Sequence, residues 1–285
     1  MRRAFAAIGT LACCLAAPAA AQVDCFPSDD SNEARLFAAF SVALAFGLVE
    51  APDQMAPGTI RAGLELTYLP NIDEETRTPT VCRPGKGPEN TDLLLAFPRP
   101  RVTVALPAGF IAEASWVPPV RLNGIKANLL GLALLRSMQL GHSGTHLALR
   151  LHGTLGVIRA PITCNDDALE DASSECFDGT RSDDAYHPNI VGAEALLGWS
   201  LGGGRLRPFA GAGLNLLYPR FRVNFINRFD QLDDSRVEVD LKQGALFGGA
   251  TWAATPRVDL SAVLYAVPGD EVTGRLMVSY GMGAR

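Results

Sequence analysis

The residues most able to do chemistry cluster around two cysteines. Between and beside Cys164 and Cys176 lie Asp166, Asp167, Glu170, Asp171, Glu175, Asp178, Asp183 and Asp184. Closely spaced carboxylates can hold Ca²⁺ or bridge a divalent ion to phosphate, which makes Asp166, Asp167, Glu170 and Asp171 the candidate metal ligands. Their spacing does not match an EF-hand loop, and an acidic, disulfide-tied surface loop is the simpler reading. Two histidines are the candidates for acid–base work: His187, close to Asp183 and Asp184, and His152, inside an alternating segment. Neither stands in a triad or at metal-ligand spacing, and G-x-S-x-G and H-E-x-x-H are absent. Gly202-Gly203-Gly204 joins two expected strands, so no helix N-terminus is offered to a phosphate. No catalytic residue and no cofactor is expected.

The elements that hold these residues follow from the rest of the chain. Met1-Arg2-Arg3, an apolar run over 4–17 and Ala19-Ala20-Ala21 before Gln22 read as a signal peptide cleaved after Ala21. Export leaves Cys25, Cys82, Cys164 and Cys176 in an oxidising compartment and predicts two disulfides. Cys164–Cys176 is the expected pair and Cys25–Cys82 the possible second. Zinc is disfavoured, because no C-x-x-C occurs.

Hydrophobic residues make up 48% of the 285 positions, charged residues 19%, and the net charge is −5. This is too apolar for a disordered chain and too acidic for broad nucleic-acid binding. After the signal, no uncharged stretch is longer than that from Leu36 to Val49, short of the roughly 20 residues of a spanning helix. A large soluble core or a membrane β-barrel remains.

Period-2 alternation decides between them. Ile60, Ala62, Leu64, Leu66 and Tyr68 alternate with Arg61, Gly63, Glu65 and Thr67, and similar patterns recur to the C-terminal end. Ten strands are expected near 58–69, 99–107, 109–117, 124–140, 145–161, 187–201, 205–223, 235–252, 257–266 and 271–282. Connections after even-numbered strands are tight, and most of the others are long and polar. Tight turns at one end and longer loops at the other, with strands near ten residues, describe an up-and-down transmembrane barrel with its termini on the periplasmic side. Tyr68, Trp116, Trp199, Tyr218, Trp252, Tyr265 and Tyr280 fall near strand ends, as an aromatic girdle would. Trp252 and Tyr265 break the outward parity and require a bulge near Gly248-Gly249 or an inward ring. The inward faces should carry Arg61, Glu65, Arg101, Glu113, Arg150, His152, Glu194, Arg207, Glu238, Asp240, Lys242 and Arg275, a set that would form salt bridges in a narrow lumen.

On this pattern the chain resembles the porin-like superfamily of bacterial outer-membrane β-barrels. The resemblance covers the signal peptide and residues 58–282 and rests on no specific motif. It implies an all-β, antiparallel barrel of about ten strands (8–12) in the cell outer membrane of a Gram-negative envelope. It also implies outer-membrane lipid, lipopolysaccharide and the barrel-assembly machinery as partners, with no nucleic acid; oligomeric state is left open. The expected division is 1–21 signal peptide, 22–57 N-terminal helix plus linker, and 58–285 barrel. Ser31 followed by Glu33 predicts an N-capped helix in that segment, although Leu36, Ala38, Phe40, Val42, Leu44 and Phe46 also alternate as a strand would. A Cys25–Cys82 bridge would require residues 31–48 to cross the membrane height, and a ten-stranded lumen leaves little room for a helix. The expected role is non-enzymatic: envelope structure, surface interaction or narrow passage of small solutes. The alternatives are a barrel enzyme acting on lipid or peptide at the membrane face, and an exported soluble barrel carrying an apolar ligand.

Overall fold

The computed structural model describes residues 24–52, 55–69, 71–91, 94–122, 124–141, 144–269 and 271–282. The expected signal peptide and its cleavage point lie outside them. Ten long strands form the wall: β1 (Ile60–Tyr68), β2 (Ala96–Ala105), β3 (Phe110–Val117), β4 (Ile125–Leu140), β5 (Thr145–Ala160), β6 (Ile190–Trp199), β7 (Leu206–Leu217), β8 (Leu241–Ala253), β9 (Val258–Val267) and β10 (Glu271–Met282). Each pairs antiparallel with its chain neighbours. β10 then returns to pair with β1, from Arg275↔Thr67 to Met282↔Ile60. That pairing closes the sheet into a barrel and removes its edges.

The alternation separates a lipid-type exterior from a packed interior. Leu64, Leu132, Leu149, Leu151, Leu214, Leu264 and Leu276 are at least half exposed on the outer face. So much contiguous exposed hydrocarbon is foreign to a soluble monomer and fits a membrane-spanning wall. Tyr68, Trp116 and Tyr218 ring the long-loop end, and Trp199, Trp252 and Tyr280 ring the tight-turn end, all exposed. The two aromatic rings that break the outward parity resolve differently: one is the inward ring allowed for, the other needs neither an inward ring nor a bulge. Tyr265 points inward, fully buried and stacked on Phe247 at 5.9 Å between ring centroids. Trp252 points outward without any bulge, since the β8–β9 register runs unbroken from Leu246↔Ala266 to Ala253↔Asp259.

The apparent conflict arose upstream. Val237 and Val239, expected on the outer face, are buried inside the mouth. Glu238 and Asp240 instead pair with Arg220 outside the lumen, and Lys242 is exposed. The mouth is apolar, so the usual sign of the alternation is reversed there. The expected strands 205–223 and 235–252 are also longer than the wall. Beyond Leu217 and before Leu241 the chain forms short strands, Arg220–Arg222 and Arg236–Glu238. These join Asp184–His187 and Asp24–Cys25 in an extension of the sheet above the end of β5.

The segment before β1 fills the barrel. Helix α1 (Asn32–Leu44) starts where Ser31 accepts a hydrogen bond from the Ala34 amide at 3.1 Å. At about 1.5 Å per residue its 13 residues cover roughly 20 Å. Residues 45–52 then continue as a single chain through the middle of the lumen. The helix occupies the mouth, where Ala34, Ala38, Ala39 and Ala43 are buried, and only one strand's width passes the narrow part. The barrel therefore holds both a ten-strand wall and a Cys25–Cys82 bridge. As a result Cys25 sits at the long-loop end, whereas Met282 ends at the tight-turn end beside Ile60. The two ends of the ten-strand wall thus meet at the tight-turn end, as expected of the barrel's termini, while the segment before β1 begins at the opposite end.

Candidate functional site

The interior contains three stacked environments. The central one is built around Phe46, whose ring lies against Gly131: a Cβ added there would meet the ring at 2.9 Å. The Arg101, Arg150 and Arg99 guanidinium carbons stand 4.0, 5.2 and 5.7 Å from the ring centroid. Cations over an aromatic face are attracted by its quadrupole, most strongly where water is excluded. Carboxylates complete the shell. Arg101 bonds Glu65, and Arg150 bonds Glu113 at 2.7 Å and Glu194 at 2.8 Å.

The plug's backbone is held by two of these arginines, Arg99 and Arg101, and by Arg275 of β10. Arg275 donates to the Val42 carbonyl at 2.9 Å, Arg99 to Leu44 at 3.0 Å and Arg101 to Gly47 at 2.8 Å. The last carbonyls of a helix have no partner within it and carry the negative end of its dipole. Four arginines facing three glutamates would leave an excess of positive charge. The C-terminus of α1 supplies the matching negative end.

Nearer the tight turns is a second polar layer. Asp259 bridges Arg207 at 2.7 Å and Arg61 at 3.3 Å, and Glu50 of the plug bonds Ser279. Ala51 donates to Thr251 at 2.9 Å, and Ser137 donates to the Pro52 carbonyl at 3.3 Å. Of the expected lumen charges, Arg61, Glu65, Arg101, Glu113, Arg150, His152, Glu194, Arg207 and Arg275 lie in these layers. Arg99, Phe46, Gly47 and Glu50 were not expected there. Arg99 could have been found, since Arg99, Arg101 and Thr103 continue one face of β2.

At the mouth the lining changes to hydrocarbon. Phe37 of α1 lies 5.6 Å from Tyr186 and 6.1 Å from Phe221, ring to ring. Behind these rings is an apolar cavity of about 100 Å³ between α1 and the wall, bounded by Phe40, Leu44, Phe97, Ile125, Ala127 and Ile158. Above it, the Glu33 carboxylate accepts from the Val81 and Cys82 amides at 2.8 Å and from Thr80 at 3.1 Å, tying α1 to the first long loop. Burial works to raise the Glu33 pKa, but these amides outweigh it and hold it below the usual value. The disulfide Cys25–Cys82 fastens the same place, and Cys164–Cys176 closes the acidic loop.

The structure separates the candidate chemical residues. Asp166, Asp167 and Glu170 lie on a five-residue helix capped by Asn165, and Asp171 accepts from Ser173. Among the described residues no three His, Cys, Asp or Glu side chains gather as a metal site would need. Asp183 faces Arg121 and Arg159, each at 3.3 Å. Buried Asp184 accepts from the amides of Ile162, Thr163 and Asn224 and from the Ser182 hydroxyl, so it braces loops and forms no dyad with His187. His152 is buried beside Arg150, with Nε2 3.7 Å from Glu194, too far for a hydrogen bond.

No family model matches the chain, and no curated protein matches it. Among solved structures, the N-terminal β-barrel domain of OprF from Pseudomonas aeruginosa is 12% identical, covering 80% of this chain and 100% of that one, with a TM-score of 0.31. Ail, the attachment invasion locus protein of Yersinia pestis, is 7% identical over 80% and 100% of the two chains, with a TM-score of 0.32. Neisserial surface protein A is 14% identical over 79% and 95%, with a TM-score of 0.26. The class of the protein, an antiparallel membrane-spanning β-barrel, rests instead on its own closed wall and apolar exterior.

Proposed function

We propose that this chain is a non-enzymatic outer-membrane scaffold whose barrel is closed by its own N-terminal segment and whose long-loop end faces outward. The observation that carries the reading is the occupied lumen. Residues 45–52 cross it, and the Val42, Leu44 and Gly47 carbonyls are held by arginines from β2 and β10. A ten-stranded barrel has little open space to begin with. The outer face displays loops braced by two disulfides and by Asp184, a fitting surface for contact with lipopolysaccharide or other cell-surface partners. A signal peptide and insertion by the barrel-assembly machinery complete the expected route. Catalysis finds no support in His152, which is enclosed with Arg150 and Glu194 away from either mouth.

Planar-bilayer recording on the refolded full chain tests the reading. Flat traces are expected from protein that shows heat-modifiable gel mobility, and Gly131→Leu, which drives a side chain into Phe46, should bring open-channel steps. Steady conductance from the unaltered chain would overturn the closed-lumen assignment.

A further inference from the structure

The wall is not hydrogen-bonded to the same height all the way round. β2 pairs with β1 as far as Tyr68↔Ala96, and β3 pairs with β4 as far as Val117↔Leu129. Among the described residues the ladder between β2 and β3 stops lower, at Arg101↔Ser115. Prolines account for the break. The Ala105 amide donates to Thr59, on the β1 side, and the Leu106 amide donates to Phe110 of β3. Along β2, therefore, odd residues address β1 and even residues address β3. Pro98 and Pro100 are both even, and continuing the observed register sets Pro98 opposite Pro118. Neither strand can offer an N–H at that rung.

An unpaired rung at the membrane boundary leaves the wall open where acyl chains and headgroups meet. This one lies at the level of Trp116 in the aromatic ring, and its outer face is apolar: Leu95, Pro98, Pro100, Trp116 and Val120 are all exposed. Phe97, next to Pro98 on β2, is buried on the inner side and lines the mouth cavity together with Ile125 and Ala127 of β4. Glu33, Arg77, Arg83 and Glu89 bound the cavity on its loop side but contribute almost none of its surface, which is apolar nearly throughout and gives water few partners. An engineered apolar cavity of about 150 Å³ stays dry and takes benzene, so a space of about 100 Å³ suits a short stretch of hydrocarbon.

From this arrangement we infer that the mouth cavity is a binding site for the end of an acyl chain, which enters sideways from the membrane through the β2–β3 seam. The chain can belong to a membrane lipid or to a free fatty acid, because the site recognises the hydrocarbon end. Ile125→Trp fills the cavity and leaves the seam. Pro98→Thr with Pro118→Thr restores donors to the seam and leaves the cavity.

Electron spin resonance on the full chain tests both halves. One arm titrates detergent-solubilised protein with stearic acid spin-labelled near its methyl end. The other places the protein in nanodiscs containing phosphatidylcholine labelled at the same acyl position. An immobilised component is expected, and the arm that shows it identifies the source. Ile125→Trp should weaken it about tenfold or more, equivalent to losing burial of about two methylenes. Ala127→Phe serves as a second filling variant if the first fails to fold. The proline-replaced variant should keep the equilibrium signal but acquire it about tenfold more slowly, as a closed lateral route would require. No immobilised component in either arm, or an equal one in both filling variants, overturns the site. An unchanged uptake rate in the proline-replaced variant overturns the lateral route.

Discussion

The middle of the lumen and its mouth are filled by the same N-terminal segment in opposite ways. In the middle, Phe46 is surrounded by charge, and nearly every contact is directional. At the mouth, α1 packs hydrocarbon on hydrocarbon, and direction comes from Glu33 and a disulfide at the rim. The difference teaches what each kind of filling does. Buried ion pairs return little net stability after desolvation but penalise any other arrangement, so the middle fixes register. Apolar packing is forgiving of shape, so the mouth supplies cohesion and can leave a cavity.

Breaking the charged middle should have the largest effect. Arg150→Ala removes the ion-pair partner that Glu194 bonds at 2.8 Å and leaves Glu113 only Arg101 at 3.7 Å, and should cost about 3–5 kcal/mol, read from the urea midpoint of the refolded barrel. A loss no larger than that of a surface substitution would show that the two regions are not held differently. Removing Cys25–Cys82 as a paired Ser variant should come next. With a sequence separation of 57 the chain-entropy model gives about 4 kcal/mol, against about 3 kcal/mol for the separation of 12 in Cys164–Cys176. Thermal unfolding of the two Ser pairs should rank them in that order.

Glu33→Gln sharpens the comparison by acidity. Since its amide partners hold the carboxyl below the ordinary 4.5, its contribution is complete above that pH and is lost as pH falls through the lower folded value. Hydrogen exchange of the Val81 and Cys82 amides should accelerate in that acid window in the parent chain. The Gln variant should show no such step, at a cost of about 1 kcal/mol at neutral pH. The smallest effect is expected in the acidic loop. Arg181 lies 3.5 Å from Asp166 in an exposed pair, so Asp166→Asn should change stability by less than about 0.5 kcal/mol.

Much of the wall was legible because lipid and lumen impose opposite demands on successive residues. The tight turns mark every second hairpin, and β4 was identifiable despite Leu129-Leu130 and Leu134-Leu135. Those doublets spoil the alternation because Leu129 packs in the apolar mouth and Leu135 in a second apolar cluster, while their neighbours face outward. The mouth is illegible for the same reason: Val237 and Val239 satisfy an apolar interior, and local pattern cannot say which side of a strand is inside. The plug's middle was illegible. Ser31 and Glu33 announce a helix start, but the partners of residues 42–52 are supplied from strands as far away as Arg275. No short window holds that information.

The position of the Cys25–Cys82 bridge bears on how the molecule is made. The covalent ring it closes contains α1, the lumen-crossing segment and β1, and none of the nine strands that follow. No chain end has to be threaded through that ring, so oxidation and barrel closure can occur in either order. An oxidised α1–β1 unit already brings together the inner core and the first stave of the wall, and the remaining strands need only wind around it until β10 meets β1.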